Sequence, residues 1–181
     1  MQIIIIKLLR KKMELKLSFT NIILTGFMGS GKSTIGRILA KNLNTYFIDT
    51  DNLIENFENK TIKKIFEEEG EESFRQKERY CFNWIKKSVK NTVISVGGGF
   101  PVFIPEIKEA GVVIYLKVDF QDILKRMNEE EIKKRPLFQD IKKAKELYEK
   151  RDKIYKNLAD YIIENKNMDE TIKKIKDIYG S

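Results

Sequence analysis

The 181-residue chain has no histidine. A His-based nucleophile, general base or zinc centre is therefore excluded. It has one cysteine, Cys81, so there is neither a disulfide framework nor a thiolate metal cluster. No stretch reaches the roughly 18 consecutive apolar residues that a membrane-spanning helix needs. The opening segment MQIIIIKLLRKKMELKLSF places its apolar run ahead of its basic cluster. That is the reverse of a secretory signal, and no small-residue cleavage site follows. No internal repeat or low-complexity linker divides the chain. These absences lead to the expectation of a cytoplasmic protein with no membrane partner.

Hydrophobic residues make up 41% of the chain, enough for a globular core, and the length suits one domain. The net charge is +8, from 35 basic and 27 acidic residues. A Lys-rich solvated surface accounts for such an excess. A nucleic-acid partner is not expected, because no basic stripe with interleaved aromatics and no known module accompanies the charge. Attraction of small anionic substrates is compatible with the same balance. Residues 1–20 read as an N-terminal extension and 21–181 as the domain. Either Met13 is the true start, leaving residues 1–12 as upstream sequence, or the extension adds an edge strand.

Short apolar runs alternate with helical patterns. NIILTG (21–26), TYFID (45–49), TVISV (92–96), VVIYLKV (112–118) and ADYIIE (159–164) read as strands. A helix is expected from Lys32 to Leu43, on Ile35, Ile38, Leu39 and Leu43. The charged segment from Asn52 to Val89 reads as two or three helical pieces broken at Gly70, and a last helix spans Met168–Tyr179. The alternation predicts an α/β fold, a central parallel sheet of about five strands flanked by helices on both faces. Asn128–Lys134 is the least core-like internal segment, a candidate mobile loop.

GFMGSGKS, Gly26 to Ser33, fits the phosphate-loop pattern G-x-x-x-x-G-K-[ST] throughout, between a predicted strand and a predicted helix. Glycines let successive backbone N–H groups converge on phosphate oxygens, and the helix N-terminus adds a favourable dipole. Gly29, Ser30, Gly31, Lys32, Ser33 and Thr34 are the expected nucleotide contacts. Lys32 would bring a point charge to the phosphates and Ser33 a hydroxyl to Mg²⁺. Gly36, inside the helix, costs about 1 kcal/mol against Ala and implies close packing on a strand.

FIDTD (47–51) sets two carboxylates two residues apart, which is unfavourable unless a cation or donors lie near. Asp49 closes its strand, where open α/β sheets bind ligands, and is the expected metal-side carboxylate. Asp51 has three readings: a second metal-shell group, the N-cap of a helix starting at Asn52, or a contact to the phosphoryl acceptor.

Taken in order, GFMGSGKSTIG, FIDTD, GEESFRQKE, VGGG and KKRPL resemble the shikimate kinase family over about residues 21–164. The resemblance implies a three-layer P-loop kinase fold with substrate-binding helices at about 50–90 and a mobile lid at about 127–141. It implies ATP-dependent phosphorylation of the 3-hydroxyl of shikimate, with ATP as co-substrate and Mg²⁺ as metal. In GEESFRQKE, Arg75 and Glu78 share a helix face, and Glu71 could pair with Arg75 equally well. The spacing alone fits a surface ion pair, whereas the resemblance makes Arg75 a ligand of the shikimate carboxylate. Gly97, Gly98 and Gly99 would line the shikimate hydroxyls. Arg151 sits inside an apolar stripe of Ala144, Tyr148, Tyr155 and Leu158. There it either snorkels outward or, as the resemblance implies, supplies a second arginine to the carboxylate.

Two departures from the family pattern stand out. Lys153 and Ile154 precede Tyr155 where Pro-Leu is usual, and Asn128 stands where a lid arginine is usual, with Arg126 a possible substitute. Arg135 of the RPL stretch would reach the nucleotide phosphates. Phe66 and Phe74 are core residues or neighbours of the shikimate ring. Lys32, Asp51 and Arg135 are the expected catalytic groups, shikimate and ATP the expected partners, and the enzyme is expected to be a monomer. A gluconate kinase, a nucleoside-monophosphate kinase and a nucleotide-switch module are the alternatives.

Overall fold

The computed structural model describes residues 20–127 and 136–179. The expectations for residues 1–19, for Asn128–Lys134 and for Arg135 lie outside the described residues.

Five strands form one sheet in the order β2-β3-β1-β4-β5, with every pairing parallel. They are β1 (Ile22–Thr25), β2 (Tyr46–Asp49), β3 (Thr92–Ser95), β4 (Val112–Lys117) and β5 (Tyr161–Glu164). Parallel strands need crossover connections, and helices supply them. The helices are α1 (Lys32–Asn42), α2 (Thr50–Glu58), α3 (Ile62–Ser88), α4 (Phe100–Phe103), α5 (Phe120–Arg126), α6 (Ile141–Leu158) and α7 (Met168–Tyr179). This is the α/β sheet expected from the alternating pattern.

Side-chain alternation on β1 divides the core. Ile23 faces Ile65, Phe82, Ile85 and Ile94, the layer covered by α3. Ile22 and Leu24 face Ile35, Leu39 and Ile175, the layer covered by α1 and α7. All four residues of β1 are buried, as a central parallel strand covered on both faces requires. A third cluster joins Phe27, Tyr115, Phe138, Ala144 and Tyr155 beneath α6, beside the loops at the carboxyl ends of the strands.

Local sequence explains the breaks. Gly70 interrupts α3 at φ 84°, ψ 173°, a conformation that a side chain disfavours. Thr61 caps α3 by accepting from the Lys64 N–H at 3.2 Å. Gly36 lies against the Phe47 ring and Leu24, so the close packing of α1 on the sheet leaves no room for a Cβ.

One reading is corrected. The helix after FIDTD begins at Thr50 rather than Asn52, and its N-cap is Asp49, not Asp51. Asp49 keeps extended backbone angles while its carboxylate accepts from the Asp51 and Asn52 N–H groups. Asp51 already lies in the first turn. It is thereby free of the capping role and turned toward the cleft.

Candidate active site

The loop after β1 carries the glycine-rich segment. Gly29 and Gly31 adopt φ 80° and 86°, in the left-handed region, and α1 starts at Lys32. The Lys32 ammonium donates to the carbonyls of Gly26 and Phe27 at 2.9 and 3.1 Å, which draws it back across its own loop. The Ser33 hydroxyl donates to Asp49 Oδ2 at 2.7 Å, while Asp49 Oδ1 accepts the Asp51 N–H at 3.2 Å. One carboxylate therefore joins the first turn of α1 to the first turn of α2. A cleft of about 700 Å³ opens over this loop, lined also by Asp49, Asp51, Gly97, Gly98 and Arg126.

The three glycines after β3 each face a different functional group. A Cβ on Gly97 would lie 2.6 Å from Asp51 Oδ1. One on Gly98 would lie 3.3 Å from Arg151 Nη1 and 3.4 Å from the Tyr155 hydroxyl, and one on Gly99 2.7 Å from Arg75 Nη1. Bare backbone thus lets side chains from α2, α3 and α6 converge on one loop.

Arg75 and Tyr155 are anchored. Arg75 donates to Glu78 at 2.6 Å and to Glu71 at 2.8 Å, and its guanidinium lies 4.0 Å from the centre of the Phe103 ring. The Glu78 side chain is 1% exposed and that of Glu71 58%, so the i,i+3 and i,i+4 partners of Arg75 both form but in different media. Half-buried Arg151 brings its guanidinium against Gly98. Tyr155 is buried and donates its hydroxyl to the Gly98 carbonyl at 2.6 Å. Phe74 is in the core, while Phe66 packs on it at 5.0 Å between ring centres and stays partly exposed.

Burial, then the neighbouring Asp49 charge, pushes the Asp51 carboxyl up to about 6, against the opposing pull of Lys32 and Arg75. Its Oδ1 is buried and has no hydrogen-bond partner among the described residues. A desolvated carboxylate with an unused acceptor is suited to taking a proton or a hydrogen bond from a hydroxyl group. Burial also raises Glu78, even with Arg75 beside it.

The structure brings together Gly29, Gly31 to Thr34, Asp49, Asp51, Arg75, Arg151 and the three glycines, whereas Ser30 is buried and does not line the cleft. Phe66 and Phe74 stand behind Arg75, with Phe74 5.3 Å from its guanidinium carbon. Arg126 lines the cleft and donates to the Asn165 carbonyl. Of the stretch expected to form a lid, Leu137 reaches the cleft and Phe138 packs edge-on against Phe27. Sequence reasoning missed Thr50, whose hydroxyl accepts the Gly97 N–H at 3.3 Å, and Asn165, which donates to the Ser30 carbonyl at 2.7 Å. Their partners lie 47 and 135 residues away, and no short pattern signals that.

A parallel sheet carrying a glycine-rich phosphate loop, with a carboxylate on the adjoining crossover, defines a P-loop kinase-type nucleotide-binding protein. The profile of the shikimate kinase family matches residues 28–179, and the chain belongs to that family. A shikimate kinase of Helicobacter hepaticus is 47% identical over 143 residues, covering 79% of this chain and 85% of that one. The structure of the Acinetobacter baumannii shikimate kinase in complex with shikimate superposes with a TM-score of 0.80 at 34% identity. That match covers 92% of this chain and 97% of the other. A gluconokinase of Sinorhizobium meliloti reaches only 12% identity at a TM-score of 0.50, a likeness of fold alone.

Proposed function

We infer that this chain transfers the γ-phosphoryl group of ATP to the 3-hydroxyl of shikimate. The observation that carries the reading is the convergence of Asp51, Arg75 and Arg151 on Gly97–Gly99, beside the phosphate loop. Two guanidinium groups match a carboxylate. Asp51 is the group placed to orient the acceptor hydroxyl or to receive its proton. Membership in the shikimate kinase family supports the same substrate and disfavours the gluconate kinase alternative.

Phosphoryl transfer depends on positioning and charge stabilisation more than on covalent chemistry. Gly29 to Thr34 would hold the phosphates through backbone N–H groups, and Lys32 would exchange its loop carbonyls for phosphate oxygens. Arg135 is proposed to approach the phosphates from the lid. Phe66 and Phe74 would pack beside the acceptor ring.

Mg²⁺ fits the donors present. The Ser33 hydroxyl and Asp49 carboxylate are hard oxygen donors already 2.7 Å apart. No cluster of three His, Cys, Asp or Glu side chains exists among the described residues. The remaining ligands would therefore be water and phosphate oxygens, as that ion prefers. When bound it would neutralise charge on the phosphates. The chain is proposed to act in the cytoplasm as a monomer. No described helix is long and apolar enough to cross a membrane.

A coupled assay of ADP release, with and without shikimate, tests this reading. Release that depends on shikimate and Mg²⁺ is the expected result. Release stimulated by gluconate or a nucleoside monophosphate, and indifferent to shikimate, would overturn it.

A further inference from the structure

α6 presents two groups to the glycine loop one turn apart. Arg151 points its guanidinium at Gly98, and Tyr155 donates to the Gly98 carbonyl at 2.6 Å. Tyr155 is wholly buried, and its ring packs 5.2 Å from that of Tyr115 on β4. Burial raises its phenol above the usual value, so the hydroxyl remains a donor throughout the neutral range. Tyr115 sends its own hydroxyl elsewhere, to Asp152 at 2.8 Å. Two neighbouring phenols thus do separate work: one holds the helix to the sheet and the other holds the loop.

The loop needs such a hold. Gly97, Gly98 and Gly99 have no side chains of their own to fix their peptide planes, and glycine is the residue with the most backbone freedom to lose. In a trans peptide the carbonyl of one residue and the N–H of the next point in opposite directions. Fixing the Gly98 carbonyl toward Tyr155 therefore fixes the Gly99 N–H on the opposite side. Among the described residues, that N–H has no backbone acceptor.

We propose that Tyr155 is a positioning residue for the acceptor: its hydroxyl sets the Gly98–Gly99 peptide so that the Gly99 N–H is presented to an oxygen of shikimate. This rests on the assignment of shikimate to the glycine loop. The role is distinct from packing, because the ring alone fills the space and only the hydroxyl reaches the loop.

The test compares Tyr155→Phe with Tyr115→Phe and with the unaltered enzyme. Each variant loses one buried hydroxyl from the same ring pair. Loss of a buried hydrogen bond at this point is expected to raise the shikimate KM of Tyr155→Phe by about five- to tenfold, with the ATP KM within about twofold. Tyr115→Phe should lower Tm without moving the shikimate KM. An unchanged shikimate KM in Tyr155→Phe, or an equal rise in both variants, would overturn the proposal. Absence of shikimate turnover in the unaltered enzyme would instead overturn the substrate reading, and the proposal with it. Hydrogen exchange at the Gly99 amide of the unaltered enzyme decides the matter if Tyr155→Phe fails to fold. Slower exchange on adding shikimate is expected, and an unchanged rate would overturn the proposal.

Discussion

Asp51 Oδ1 stands 2.6 Å from the position a Cβ on Gly97 would occupy. The Gly97 backbone is not in the left-handed region, so alanine is excluded by the neighbouring carboxylate rather than by backbone strain. Gly97→Ala is therefore expected to fold and to displace Asp51. Overpacking of this kind costs about 1–3 kcal/mol, which at the reacting group corresponds to roughly a tenfold or larger fall in kcat/KM for shikimate. Steady-state kinetics checks it, and a near-normal kcat/KM would show that Asp51 can move without loss.

Asp51→Asn is expected to separate activity from stability. The folded-state carboxyl titrates near 6 against an ordinary value of 3.8, so the native state binds protons more readily than the unfolded chain. Stability then falls as pH rises between those values, and above 6 the ionised carboxylate is a net cost. Replacing it with a neutral amide should stabilise the protein at neutral pH by roughly 1–3 kcal/mol, a rise in Tm of several degrees. Turnover should be nearly abolished while ATP still binds. Calorimetry with and without ATP reads both outcomes, and a fall in Tm would contradict the assignment.

The same titration predicts the pH profile. If ionised Asp51 is needed to engage the acceptor hydroxyl, kcat/KM should fall tenfold per pH unit well below about 6. Because the chain has no histidine, no imidazole can produce that limb. A profile flat down to pH 4.5 would remove Asp51 from the proton pathway.

Asp49 has two duties, and one substitution separates them. Asn caps helices about as well as Asp, so Asp49→Asn should keep the α2 N-terminus and leave Tm within a degree or two. It removes the charge beside Ser33, so the Mg²⁺ concentration for half-maximal activity should rise about tenfold or more. Titrating activity against Mg²⁺ at saturating ATP measures this. An unchanged requirement would place the ion away from Asp49.

Much of this site was legible because its chemistry lies in contiguous stretches. The phosphate loop, the strand-closing Asp49 and the glycine triplet could be read where they stand, as could the break at Gly70. The strand order was not legible: nothing local says that β3 inserts between β1 and β2. The helix start was placed two residues late, and the cap left open, for a local reason. Asp49 and Asp51 are both good capping residues, and the choice depended on where the strand released the chain. Arg151 was ambiguous from its stripe alone, because the residue its guanidinium lies against, Gly98, is distant in sequence.

Glu78 and Glu71 bracket Arg75 from opposite media, and their substitutions should differ accordingly. Burial raises the Glu78 carboxyl despite the guanidinium beside it, so desolvation outweighs the attraction and the pair adds little net stability. Its contribution is orientation. Glu78→Gln should therefore leave Tm nearly unchanged but replace a charge-assisted hydrogen bond with a neutral one, raising the shikimate KM by about three- to tenfold. Glu71 is solvated, and exposed pairs are worth about 0–1 kcal/mol, so Glu71→Gln should change the same KM by less than about threefold. Kinetics on both variants with shikimate varied makes the comparison. Equal effects would mean that Arg75 is aimed by the solvent-side carboxylate as much as by the buried one.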